Sequence, residues 1–274
     1  MGCYISDNDV LYAFNIWDVN SAKAIIDAAS KLKRNVILQT SASIYEKIDI
    51  KAIRYFVTYY SKEKNIHAWL HLDHCKKMNI IDSAIINGYD SVMIDASNLP
   101  LYENIKITNE VVKKAHSKGV IVEAELGQIR GVEENIVHNK NDYVSLNNID
   151  EFIENTNMDM IAVAFGNAHG AYKGTPKLNY EIVRYVTGKT DVPFVVHGGS
   201  GLSNDILKEL MSIKGVNKIN ISTDVKMAYR EGILKSLEQK LFDEDGFQAL
   251  CIEDNIYNSI KKMAESKIKL LDEV

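Results

Sequence analysis

HAWLHLDH, residues 67–74, is a short apolar run that closes on an aspartate and a histidine. Its length and apolar character read as a strand over Ile66–Asp73, in which residues two apart share a face, so His71 and Asp73 point the same way. Two other runs close similarly: MIAVAFGNAH (160–169) and VPFVVH (192–197). His74, His169 and His197 therefore stand at or just past the ends of three strand-like units. Three imidazoles leave one position open on a tetrahedral cation, as a catalytic zinc requires.

Working outward, the same strand-like pattern recurs at Leu11–Ile16, Asn35–Ser41, Asp90–Asp95, Val120–Leu126, Asp159–Phe165, Val192–His197 and Val216–Ile221. Segments of helical periodicity alternate with these strands: Val19–Leu32, Ile50–Lys62, Ile80–Asn87, Asn104–Lys118, Asn148–Asn155, Tyr180–Gly188, Asn204–Ile213 and Thr223–Lys240. Asn87-Gly88, Lys118-Gly119 and Lys214-Gly215 supply stop signals before the next strand. Strand–helix units in this number and length predict an α/β fold, a (β/α)8 TIM barrel. A doubly wound nucleotide fold would place a glycine fingerprint after the first strand, where Trp17-Asp18-Val19-Asn20 stands instead. With only three prolines and no Pro-, Gly- or Ser-rich stretch in the middle, a single domain is expected: a barrel over about 11–240 and a charged helical tail over about 241–274.

The 274 residues are 46% hydrophobic and 25% charged, enough for a sizeable core and unlike a disordered chain. A net charge of −5, with no basic stripe, argues against nucleic acid as a partner. No apolar run is long enough to span a bilayer and no secretory leader is evident, so neither a membrane partner nor export is expected. Cys3, Cys75 and Cys251 are odd in number and far apart, which suits a cytoplasmic setting. Met1-Gly2-Cys3-Tyr4-Ile5-Ser6 fits a myristoylation pattern in form and reads as an ordinary start.

In a TIM barrel the reacting groups gather at the C-terminal strand ends. Those ends carry Asn15, Ser41, Asp73, His74, Asp95, Glu125, His169, His197 and Asn220. His71 reads as packed and hydrogen-bonded, Cys75 as structural, and His67, His116 and His138 carry no assigned chemistry. Gly170 follows His169, and His197 opens Gly198-Gly199-Ser200-Gly201. Asn220-Ile221-Ser222-Thr223 leads into the last barrel helix. Freed backbone N–H groups, a hydroxyl and a helix N-terminus make a phosphate cradle where such barrels hold one. Gly127–Asn141 is long and polar, which predicts either a disordered loop or a lid. Its Glu133 and Glu134 read equally as a mobile general base or as a solvated acidic pair.

The motifs HLDH (71–74), SVMIDAS (91–97), VEAELG (122–127), GVEE (131–134), GNAHGAYKGTPKL (166–178), VVHGGSG (195–201) and KINISTD (218–224) occur in collinear order. Together they resemble the class II, zinc-dependent ketose-bisphosphate aldolases, the fructose- and tagatose-bisphosphate enzymes of carbohydrate metabolism and glycolysis. The resemblance implies zinc held by His74, His169 and His197, with Asp95 and Glu125 ordering ligands or holding zinc in an alternative position. It implies that Asp73 is the acid/base at carbon–carbon cleavage and that Glu133 exchanges the proton on the dihydroxyacetone phosphate carbon. Substrate phosphate would meet Gly170, Gly198, Gly199, Ser200, Asn220, Ile221, Ser222 and Thr223, with Ser41 a further contact and a monovalent cation nearby. A sugar-phosphate substrate and a homo-oligomer, dimer or tetramer, are further implications.

The alternative chemistry, a lysine Schiff base, finds no lysine in Val163-Ala164-Phe165-Gly166, and Lys218 lies within a strand. The sequence departs from the family pattern at Asn167, Asn98 and Arg130, where threonine, histidine and glycine are common. The stretch before the first strand is short, and residues 243–250 (DEDGFQAL) lack an Asp-Pro-Arg segment that often meets the distal phosphate. Cleavage of a ketose 1,6-bisphosphate to dihydroxyacetone phosphate and glyceraldehyde 3-phosphate is the expected activity. The alternatives are a related aldolase on another sugar or sugar-acid phosphate, and a non-catalytic sugar-phosphate-binding barrel.

Overall fold

Most of the apolar runs are buried on both faces, which a parallel sheet wrapped by helices demands and an open antiparallel sheet does not. The computed structural model describes residues 9–133, 136–138, 144–170, 172, 174 and 176–274, with 130–133 and 136–138 described by their backbone. The strands are β1 (Leu11–Asn15), β2 (Val36–Ser41), β3 (Ala68–Cys75), β4 (Ser91–Ile94), β5 (Ile121–Leu126), β6 (Arg130–Glu133), β7 (Ile136–His138), β8 (Met160–Val163), β9 (Ala168–His169), β10 (Phe194–Val196) and β11 (Val216–Ile221). Eight of them close a parallel barrel in the order β1-β11-β10-β8-β5-β4-β3-β2. Consecutive barrel strands are neighbours throughout, as the right-handed strand–helix–strand rule requires.

Alternation sorts the side chains. Leu11, Ala13, Ile37, Met160, Ala162 and Val195 fill the barrel interior with Trp69 and Ile121 beside them. Tyr12, Phe14, Leu38, Val122, Ile161 and Val196 point the other way, into the larger core under the helices. Helices begin where the sequence places their starts at Val19, Ile50, Tyr180, Asn204 and Thr223. Asp18, Asp49, Asn179 and Ser203 cap the first four with side-chain acceptors. Met78 and Leu101 start earlier than periodicity predicts because Lys77 and Pro100 make no side-chain cap to announce them.

The tail folds back onto the barrel. Helix Ala249–Lys269 buries Ile252, Ile256, Ile260, Ala264 and Ile268 at helical spacing. Its partners are helices Val19–Lys31 and Thr223–Glu238. A Cβ on Gly232 would lie 2.5 Å from the Ile256 Cα, so the absent side chain sets the close approach. Buried Asp27 accepts from Tyr257 Oη (2.7 Å) and Tyr60 Oη (3.0 Å), tying the tail to two barrel helices.

Three expectations need correction. The 127–141 segment is no plain loop: β6 and β7 form an antiparallel hairpin, and β6 pairs with β9 in a separate three-stranded sheet. His169 does not sit at a barrel-strand end, since β8 stops at Val163 and His169 belongs to β9. A short helix, Ala42–Tyr45, follows β2 directly. Residues 1–6 and Glu134 lie outside the described residues.

Candidate active site

Successive strand residues point to opposite faces, so Asp73 and His74 should diverge. They do not, because the β3–β4 register shifts between Leu72 and Cys75 and His74 takes φ 43°. A left-handed non-glycine residue costs about 1–2 kcal/mol. Here the strained turn presents both side chains at the barrel mouth. His169 arrives from another direction, held by the pairing of β9 with Gly131. His197 follows β10 and is locked by Gly198, at φ 70°, where a Cβ would fall 2.0 Å from the Ala168 carbonyl oxygen. Asn167 adds a bond from its amide to the His197 carbonyl (3.0 Å).

The imidazoles converge. Ring centroids lie 4.5 Å (His74–His197), 4.8 Å (His74–His169) and 5.8 Å (His169–His197) apart. Ligand atoms of His74, Glu125, His169 and His197 all lie within 4.8 Å of one another. Glu125 Oε2 is 3.3 Å from His197 Nδ1 and 3.8 Å from His74 Nδ1, and Asp95 Oδ2 is 3.5 Å from His74 Nδ1. Yet the buried Glu125 Oε2 and His197 Nδ1 have no hydrogen-bond partner. Such atoms are expensive to leave unmade, and a cation bound between them would satisfy both. Imidazole nitrogens with a carboxylate oxygen are a donor set that zinc accepts, so these residues fit the metal that the motifs imply.

Charge supports the cluster from below. Burial alone would raise the Glu123 carboxyl, but Lys218 and His197 hold it well below the usual carboxylate range. An ionised carboxylate only accepts, so the 2.8 Å contact of Glu123 Oε1 requires His197 Nε2 to carry the hydrogen. Burial and His74 push His197 down, but Glu123 and Glu125 outweigh them and lift it to about 9. Burial would also raise Asp95, which His74 and Lys76 instead hold far below the carboxylate range. His71 is as expected, packed and hydrogen-bonded, with Nδ1 2.7 Å from Ser91 Oγ. Burial, then Lys218, lowers it to about 3.

Asp73 is buried and surrounded by amides: Oδ2 accepts from Asn15 Nδ2 (3.3 Å) and Gln39 Nε2 (3.1 Å), and Oδ1 from Asn220 Nδ2 (3.3 Å). Beside it opens a small pocket lined by Asn15, Gln39, His169, Gly170, Gly198, Ser200, Asn220, Ser222, Thr223 and Lys226. The structure thus brings the expected phosphate residues Gly170, Gly198, Ser200, Asn220, Ser222 and Thr223 to one wall. Ser200 Oγ accepts from the N–H groups of Ser222 (3.1 Å) and Asp224 (3.2 Å), so what it offers an anion is its own O–H. Gly199 and Ile221 stand behind the lining, the first bonded to the Asn220 carbonyl and the second buried in the outer core. Ser41 is not in the lining either; its Oγ caps helix Ala42–Tyr45 at Ile44 N–H (3.4 Å). The Glu133 side chain lies outside the described residues, while its backbone ends β6, two residues after the Gly131 that pairs with His169.

Sequence reasoning missed Gln39, Glu123, Asn167, Lys218 and Lys226. A usable signal existed for two: Glu123 lies two residues below Glu125, and Lys218 two below Asn220, on the same inward faces.

A closed barrel whose mouth brings a cluster that could hold a cation beside a pocket lined by glycines and hydroxyls points to a class of molecule. The model of the family "Fructose-bisphosphate aldolase class-II" matches residues 7–274. The chain is 33% identical over 259 residues to the Escherichia coli (strain K12) protein YdjI, covering 94% of this chain and 90% of that one. The crystal structure of that protein, described as the YdjI aldolase, superposes with a TM-score of 0.80 over 96% of this chain and 91% of its own. A fructose-bisphosphate aldolase from Geobacillus stearothermophilus is 35% identical over 227 residues, covering 82% of this chain and 79% of the relative. The fold also matches a fructose-bisphosphate aldolase from Campylobacter jejuni with a TM-score of 0.80 at 24% identity, over 97% and 91% of the two chains. The chain belongs to the class II fructose-bisphosphate aldolase family. It is an aldolase, a carbon–carbon lyase of a metal-dependent family.

Proposed function

We propose that the chain is a zinc-dependent aldolase that reversibly cleaves a ketose 1,6-bisphosphate, of fructose or tagatose type, to dihydroxyacetone phosphate and glyceraldehyde 3-phosphate. One observation carries the reading: ligand atoms of His74, His169, His197 and Glu125 lie within 4.8 Å of one another beside a cavity that meets Asp73's amide partners. Zinc bound by His74, His169 and His197 supplies Lewis-acid stabilisation of the negative charge that cleavage leaves on the substrate oxygens. Asp95 and Glu125 order that centre or offer it an alternative position.

The chain's own residues do the rest. Gly170, Gly198, Ser200, Ser222 and Thr223 hold the phosphate, with Lys226 at the cavity edge and a monovalent cation as a further expectation. Asp73 takes the C4 hydroxyl proton as the C3–C4 bond breaks, the C4 oxygen becomes the aldehyde carbonyl, and the bonding electron pair stays with C3 of the C1–C3 fragment. Three amide donors from Asn15, Gln39 and Asn220 fix its carboxylate beside the cavity, where positioning is what a proton acceptor needs. Glu133 then returns a proton to C3, giving dihydroxyacetone phosphate; the β6–β9 pairing supports its approach to the site. Fully apolar stretches long enough to cross a membrane are absent from the described helices. The described cysteines, Cys75 and Cys251, are unpaired, in keeping with a cytoplasmic setting. Exposed Met227, Leu234 and Leu237 on one helix support a homo-oligomer.

A second reading, an aldolase for another sugar or sugar-acid phosphate, is favoured by residues 243–250. They are exposed around a turn at Glu244–Gly246 rather than lining the cavity. The discriminating assay measures dihydroxyacetone phosphate release from fructose and tagatose 1,6-bisphosphates, with and without EDTA. Cleavage abolished by chelator and restored by zinc is expected. Zinc-loaded protein that cleaves neither sugar refutes the substrate, and chelator-resistant cleavage refutes the metal.

A further inference from the structure

His71, Glu123 and Lys218 are each 0% exposed inside the barrel, and the proposed chemistry uses none of them. Two opposite charges sealed from water are poor stabilisers compared with an apolar pair of similar volume, so their presence calls for another reason. The contacts run in one direction. Lys218 Nζ donates to Glu123 Oε2 (2.6 Å), and Glu123 Oε1 accepts from His197 Nε2 (2.8 Å). His71 Nε2 lies 3.6 Å from the same carboxylate. Each lies two residues below a residue of the site on its own strand: His71 under Asp73, Glu123 under Glu125, Lys218 under Asn220. The far side of the His197 ring is Nδ1, buried, without a hydrogen-bond partner and 3.3 Å from Glu125 Oε2.

We propose that the Lys218–Glu123 pair is a positioning device for the metal centre: Glu123 fixes the ring and tautomer of His197 so that Nδ1 turns its lone pair to the cation, and Lys218 fixes Glu123. The inference rests on the reading of His197 as a ligand. A hydrogen bond at one ring nitrogen determines what the other can offer, and removing such partners typically weakens metal binding about 10–100-fold. Chemistry makes the test sharp. In Glu123→Gln, Lys218 still demands an acceptor and claims the amide oxygen, leaving the NH2 facing His197 Nε2. That drives the ring hydrogen to Nδ1 and blocks the ligand. Removing the competitor in Glu123→Gln/Lys218→Met lets the amide turn over and accept from Nε2 again.

The experiment measures Zn2+ dissociation constants by chelator competition, with unfolding temperatures of the metal-free and Zn2+-loaded forms and visible spectra of the Co2+-loaded forms. Glu123→Gln should weaken Zn2+ binding about 10–100-fold and alter the Co2+ spectrum while the metal-free form stays folded. The double variant should recover part of the affinity. Wild-type affinity and spectrum in Glu123→Gln, or a double variant that binds no better than the single one, overturns the proposal. Should Glu123→Gln fail to fold, the 15N shifts of His197 in the Zn2+-loaded wild-type protein decide: hydrogen on Nε2 and metal on Nδ1 supports it, the reverse overturns it. His197→Ala separates the two levels, because undiminished Zn2+ affinity there removes the ligand reading itself.

Discussion

On the proposed reading, the two ends of the site would hold charge by opposite means. At the end proposed for the metal, imidazoles and carboxylates from β3, β5, β9 and the residues after β4 and β10 converge from distant parts of the sequence, and the buried Glu125 Oε2 and His197 Nδ1 have no hydrogen-bond partner. At the end proposed for the phosphate, two local segments bring Gly198, Ser200, Asn220, Ser222 and Thr223 to one pocket, with neutral hydroxyls and the start of helix Thr223–Glu238. The first needs long-range convergence and tolerates strain at His74; the second draws mostly on two short segments in which Gly198 allows the close approach. A cation that must be held and electronically active warrants ligands fixed from several sides. An anion that must enter and leave is served by oriented dipoles.

The largest expected effect breaks the contrast at its junction, Asp73, which the amides of Asn15, Gln39 and Asn220 hold between the two ends. Asp73→Ala should lower kcat at least roughly 10²-fold while zinc content stays at the wild-type level. Steady-state kinetics with metal analysis checks this, and near-normal turnover would remove Asp73 from the mechanism.

A pH series sharpens the cation end. Glu123 and Glu125, outweighing burial and His74, lift His197 to about 9 without metal, so at neutral pH the ring carries a proton that zinc must displace. Zinc affinity should therefore climb with pH up to about 9, at about tenfold per unit from this group. Sign matters here: a folded-state value raised above the free one stabilises the metal-free protein at low pH, and that contribution is lost as pH rises through about 9. A flat affinity profile between neutral pH and that value contradicts the assignment.

The anion end should respond in KM. In Gly198→Ala the new Cβ meets the Ala168 carbonyl oxygen at 2.0 Å on a backbone at φ 70°. A tenfold or larger rise in KM for the sugar phosphate is expected, since the left-handed conformation alone costs about 1–2 kcal/mol. Lys226→Met, at the exposed edge, should have the smallest effect: a rise of roughly two- to fivefold in KM that shrinks as salt is added.

The same contrast explains what the sequence disclosed. The barrel was legible because strand and helix periods alternate and glycines end the helices at Gly88, Gly119 and Gly215. Much of the pocket lining was legible because Gly198 and Ser200, and Asn220, Ser222 and Thr223, fall in two short segments; Gly199 and Ile221 of the same segments stand behind it. His74 and His197 were placed by strand ends, but His169 was read as merely following the Asp159–Phe165 strand, since β9 is stabilised by pairing with the hairpin rather than by its own two residues. Glu123 escaped notice, and Lys218 was weighed only as a Schiff-base lysine, because the pairing of two charged residues on separate strands shows only once the barrel is closed. Ser41, at a strand end like the others, serves as a helix cap because Ala42–Tyr45 begins immediately after β2.

Zinc-edge anomalous diffraction from zinc-loaded crystals tests the convergence of the three imidazoles most directly. A single strong peak should stand about 2.0–2.1 Å from a nitrogen of each of His74, His169 and His197. A peak elsewhere, or one bonded to fewer than all of these rings in every metal position, would contradict the account.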